Sequence, residues 1–146
     1  MLACFSSTTL PAQSKTNSSM QEYLLIFRFK SNFVPPSQDS LQANIRRWQD
    51  YMTNLAQSGK LVSGFRPSNE GKTISGSGKQ TRDGVYIANN DLVSSVIIVK
   101  AASMDEACEI ARKCPIFEFD GSIEIRPLMN TVNEKANVST SPAKAN

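Results

Sequence analysis

Histidine is absent from all 146 residues, tryptophan occurs once and cysteine three times. The missing imidazole removes the side chain best suited to general-base work near neutral pH and the commonest zinc ligand. Three widely spaced thiols do not make a disulfide framework. Cys108 and Cys114 share a predicted helix and stand about 9 Å apart along its axis, beyond disulfide reach. No zinc site and no cofactor are expected, and the thiol usage suits a reducing cytosol. Charge of one sign is lacking too. The formal net charge is +3, but Met20–Met129 holds thirteen Lys/Arg and twelve Asp/Glu, thirteen minus twelve leaving +1. A segment so near neutrality has no basic footprint for nucleic acid, and neither a nucleic-acid nor a membrane partner is expected.

Residues 1–19 contain eight Ser/Thr, one charge and no hydrophobic periodicity, which predicts an unstructured extension. Residues 130–146 are polar and read as a disordered tail. That leaves one domain over 20–129.

Within it the element order is legible. Tyr23–Phe29 is an apolar, aromatic-rich run and predicts a first strand. Pro35-Pro36 closes it. A helix is predicted over 38–57, with Ser37 as its cap and Gly59 just past its end. Leu41, Ile45, Trp48, Met52 and Leu55 step by three and four and define its expected inner face. Lys60–Phe65 predicts a strand, Pro67–Gly71 a turn, and Lys72–Ser75 its pairing partner. Gly76–Gly84 reads as a mobile hairpin region. Its Gly76-Ser-Gly-Lys79 lacks the spacing of a phosphate loop. Asn89-Asn90-Asp91 signals a turn, and Leu92–Ala101 is strongly strand-like.

The last third reads as a unit. Ser103 and Glu106 have capping-box spacing. Met104, Ala107, Cys108, Ala111 and Cys114 form an apolar stripe, and Pro115 ends the helix. Ser122–Arg126 alternates polar and apolar as a half-buried strand does. The order β-α-β-(β)-β-α-β predicts an α+β, ferredoxin-like fold, an antiparallel sheet with two helices on one face. The first strand is apolar in both alternations: Tyr23, Leu25, Phe27 and Phe29 one way, Leu24 and Ile26 the other. The face without helices therefore needs its own cover, and a second subunit, a homodimer, is expected. At about 25 cal/mol per Å², a bare 600 Å² would leave roughly 15 kcal/mol of burial unrealised before association costs.

Glu22-Tyr-Leu-Leu-Ile-Phe27, Trp48 through Gly64, and Ala101 through Met129 together resemble the YCII-related (DGPF) family of small α+β proteins over nearly the whole domain. The resemblance implies a dimeric α+β barrel of two sheets packed face to face, with a cleft inside it or at the interface. Where the family carries Asp-Gly-Pro-Phe, this chain has Asp83-Gly84-Val85-Tyr86. Some relatives implicated in catalysis use a His–Asp pair, which a chain without histidine cannot form. Trp48 falls near where that histidine would project; it can stack and donate a hydrogen bond but cannot act as a base.

Candidate chemistry is correspondingly sparse. Asp83 is a turn residue that could serve as a base or anchor a ligand. Arg28 interrupts an apolar strand, and an arginine on a buried face needs a carboxylate or an anionic ligand. Arg126 is placed to do the same, with Glu124 as a pairing partner. Arg28, Trp48, Asp83 and Arg126 are the candidate ligand-binding residues, for a small anionic compound. Two functions fit. One is a dimeric, non-catalytic module that binds a small ligand or plays an accessory or regulatory part. The other is an acid–base lyase or isomerase acting on a small anionic or aromatic compound, using Asp83 as base, with Arg28 or Arg126 holding the anion. Missing histidine and the altered motif favour the first.

Overall fold

A computed structural model describes residues 19–129. Apart from Ser19, the predicted extension and tail lie outside the described residues. Six strands and two helices run in the order β1 (Gln21–Lys30), α1 (Gln38–Gln57), β2 (Leu61–Phe65), β3 (Lys72–Ser75), β4 (Gln80–Asp83), β5 (Asp91–Ala101), α2 (Met104–Arg112) and β6 (Ser122–Pro127), with a 3₁₀ helix at Pro115–Phe119. The main sheet has the order β2-β5-β1-β6, every pair antiparallel. This is the ferredoxin-like arrangement, with β3 and β4 inserted between its second and third sheet strands.

Local chemistry sets the helix ends. The Ser40 amide donates to the Ser37 hydroxyl at 3.1 Å, and the Ser40 hydroxyl receives the Ser37 amide at the same distance. Gly59, at φ 68°, closes the far end, where a side chain would add strain. At α2 the Glu106 amide donates to the Ser103 hydroxyl at 3.2 Å. The Glu106 carboxylate reaches past the capping-box amide to that of Ala102, at 2.6 Å. It is drawn there by Lys60, whose ammonium pairs with its other oxygen at 2.5 Å.

The core lies between the helices and one sheet face. Tyr23, Leu25, Phe27, Ile97, Val99 and Ala101 pack beneath Tyr51, Leu55, Ala107, Ile110, Ala111 and Ile116. The inner face of α1 is rotated from the apolar stripe expected of it. Asn44, Tyr51 and Leu55 are its buried residues, while Ile45 is 41% exposed. Asn44 goes inward because its amide donates to the Pro115 carbonyl at 3.0 Å and to Glu118 at 2.8 Å, which offsets the cost of burying it. In α2 Ile110 joins the stripe and Met104, 39% exposed, leaves it.

A second correction concerns strand pairing. Lys72–Ser75 does not pair with β2; it pairs with β4, from Lys72 opposite Asp83 to Ser75 opposite Gln80. The turn Gly76–Lys79 closes this ribbon, with Gly76 at φ 72° and Lys79 at φ 49°. The region Gly76–Gly84, read as a hairpin in itself, supplies only the turn and β4, and the ribbon it forms with Lys72–Ser75 stands apart from the main sheet.

Candidate functional site

Directly opposed residues of antiparallel strands share a face, so the registers define what the helix-free side of the sheet carries. Leu24 lies between Ile98 and Arg126, Ile26 between Val96 and Glu124, and Arg28 between Val93 and Ser122. The β1–β5 register shifts after Phe27, leaving Ser94 as the extra residue. Its hydroxyl donates to the Phe27 carbonyl at 3.3 Å. This bulge puts Val93, in place of Ser94, opposite Arg28, which shares its strand face with Leu24 and Ile26.

The face has an apolar part on β1 and β5 and a charged part toward β6. The Arg28 guanidinium donates to Glu124 Oε2 at 2.7 Å. Arg126 Nε lies 3.8 Å from the other oxygen of the same carboxylate. Arg28 is the most enclosed of the three, its side chain 28% exposed against 43% for Glu124 and 66% for Arg126. One carboxylate thus serves two guanidiniums, and the cluster keeps a net charge of +1.

The other two candidates lie elsewhere. Trp48 is on the helix-covered side, edge-on to Phe27 at 5.5 Å and to Tyr51 at 5.9 Å between ring centroids; it is a core aromatic. Asp83 ends β4, its side chain 88% exposed and paired with Lys72. Of the four residues, only Arg28 and Arg126 come together. An exposed ion pair contributes about 0–1 kcal/mol, so Asp83→Ala is expected to change unfolding free energy by less than about 1 kcal/mol. Urea denaturation checks this, and a larger loss would mean Asp83 carries structure through contacts other than Lys72.

A model of the YCII-related domain matches residues 21–132. The chain belongs to the YCII-related domain family. No curated protein matches it. In this YCII-related domain Asp83 and Gly84 fall at the root of the β3–β4 ribbon and not on the sheet face carrying Arg28.

An open groove of about 630 Å³ runs between α1 on one side and α2 with the 3₁₀ helix on the other. Sequence reasoning missed it, because Tyr51 and Ile110, which line it, do not belong to the apolar stripes read from the sequence. The Tyr51 hydroxyl donates to the Ile110 carbonyl at 3.2 Å, and burial holds the phenol above its ordinary range. Burial pushes the Cys114 thiol up to about 12, so it stays protonated and is a poor nucleophile. At the rim Arg47 grips Glu118 with two contacts, at 2.5 and 2.7 Å. That guanidinium, backed by the Asn44 amide, holds the Glu118 carboxyl below its ordinary value. Arg47, Asn44 and Glu118 satisfy one another. Among the described residues no group of three or more Cys, Asp or Glu is placed to hold a metal, and no helix is long and apolar enough to cross a membrane.

Proposed function

We propose that this YCII-related protein is a non-catalytic module that works in the cytosol as a homodimer, its helix-free sheet face turned toward that of a second copy. A small anionic ligand, such as a carboxylate or phosphate compound, is held there by Arg28 and Arg126. The observation carrying this reading is the charge cluster. Two guanidiniums share the single Glu124 carboxylate beside the apolar rows of Leu24, Ile26, Val96 and Ile98, leaving one positive charge without a partner among the described residues. A charge removed from water needs a counter-charge, and a small anion supplies one. An acid–base mechanism through Asp83 lacks comparable support, since that carboxylate is solvated and sits on a different element from either arginine.

At micromolar concentration the chain should sediment at twice its 16.0 kDa mass. A screen of small carboxylates and inorganic phosphate should raise the melting temperature with at least one compound, and Arg126→Ala should remove that shift. A monomer at those concentrations overturns the dimer. A shift that survives in both Arg28→Ala and Arg126→Ala overturns the site.

A further inference from the structure

The β3–β4 ribbon is the least explained part of the fold. It is a two-stranded sheet whose strands, among the described residues, pair only with each other. Its ladder closes at the root, where the Gly84 amide donates to the Gly71 carbonyl at 2.8 Å. Every residue of β4 is exposed, and Ile74 in β3 is 67% exposed. Tyr86 and Ile87, on the return to β5, are 66% and 48% exposed. An isolated two-stranded hairpin is marginal in water, and apolar side chains on one that packs against nothing gain little from being there.

The sheet shows a matching deficiency. β2 ends with Phe65 opposite Val96, so Leu92–Ser95 of β5 is paired on its β1 side only. Phe65, 64% exposed, and Val93, 40% exposed, stand at that corner. The size of the helix-free face points the same way. Six register positions along β1 and β6, on four strands spaced about 4.8 Å apart, span roughly 20 Å by 19 Å. That is about 400 Å² in plan and about half as much again with side-chain relief, against the roughly 800 Å² each partner loses in a standard interface. The β6 side of this area is charged, which reduces its apolar part further.

We propose that the β3–β4 ribbon is an intersubunit arm, which lies on a second copy of this chain at the Phe65–Val93 corner and covers it with Ile74. The contact is isologous: two arms, one from each copy, add the area that the flat sheet faces lack and shelter the open edge of β5. This inference rests on the homodimer proposed above and names the element that makes it tight.

The hydrogen-bonded pair Gly71 and Gly84 lets the arm be removed cleanly, by replacing Lys72–Asp83 with one glycine in the full chain. Sedimentation equilibrium then compares this variant, Ile74→Asp and the unaltered protein, with circular dichroism reporting the fold. Excision is expected to raise the dimer dissociation constant about 100-fold or more, as losing an interface element does. Ile74→Asp should raise it about tenfold or more, by placing a charge against apolar partners. Phe65→Asp should do the same, and the double variant with Ile74→Asp should be less than additive, because the two side chains meet. Folded variants that dimerise within about threefold of the unaltered chain would overturn the arm while leaving the homodimer standing. An unaltered chain that stays monomeric at micromolar concentration would overturn both. Should the excised chain not fold, Ile74→Asp alone decides.

Discussion

Replacing Phe27 with alanine is expected to cost about 3–5 kcal/mol, the largest loss of any single substitution considered. Phe27 is fully buried. Its ring takes the edge of Trp48 at an interplanar angle of 65°, an arrangement that adds to plain burial. On β1 it lies between Ser95 of β5 and Ile123 of β6, so no neighbour can swing in to fill the space. Native domains have about 5–15 kcal/mol in total, and the variant would forfeit about a fifth of that or more. Its melting temperature should fall by about 12 °C or more, taking about 4 °C per kcal/mol. Phe29, only partly buried at the margin of the same core, should cost clearly less. Denaturation in urea at one fixed protein concentration settles the comparison, since a self-associating protein gains apparent stability with concentration. A loss below about 1.5 kcal/mol at Phe27, less than any core phenylalanine truncation should give, would contradict the packing described.

Gly121→Ala is the second. A Cβ built there would stand 2.4 Å from Ile116 Cγ1 and 3.0 Å from the Arg28 carbonyl oxygen. Ile116 is fully buried and cannot move aside, and the carbonyl belongs to the sheet. Gly121 is where the 3₁₀ helix passes close over β1 on its way into β6, its amide donating to the Ile116 carbonyl at 3.2 Å. Overpacking of this kind costs about 1–3 kcal/mol, and contact with backbone puts this case near the upper end. Ile116→Ala removes the clashing methylene, so the double variant should fall short of the sum of the two single losses by about 1 kcal/mol or more. Strict additivity would show that the Arg28 carbonyl, rather than Ile116, carries the clash.

Much of this fold could be read along the chain because its signals are local. Ser37 and Gly59 bracket α1, Ser103 and Pro115 bracket α2, and the β-branched runs mark β5 and β6. What failed was either non-local or polar. Gln80-Thr-Arg-Asp83 carries no apolar alternation, so β4 left no period-two trace and Lys72–Ser75 was assigned to the wrong partner. Asn44 faces inward because of a carbonyl and a carboxylate more than 70 positions away, and a hydrophobicity pattern cannot register that. The site divides the same way. Arg28 was recognisable as a charge in an apolar strand, and Arg126 as a neighbour of Glu124. Their meeting depends on a register joining residues 96 positions apart. Trp48 sits on the opposite side of the sheet from them, a separation that follows from its place on a helix and not from spacing in the sequence.

The sheet order also bears on how the chain acquires its structure. β1 is made before every other described element yet is an inner strand, and its two neighbours β5 and β6 begin only at Asp91 and Ser122. At about 5–20 residues per second, Tyr23–Phe29 waits roughly 3–12 seconds after synthesis for its first partner strand and longer for its second. Contacts this distant in sequence also close slowly, because loop entropy is lost before pairing returns anything. A nascent chain therefore displays an aromatic, β-prone segment of low charge for seconds, which is the profile of an aggregation hazard. Helper proteins that bind exposed apolar segments would find their longest-lived target at the start of this domain, and its yield in cells should respond more to synthesis rate and temperature than its native stability alone would suggest.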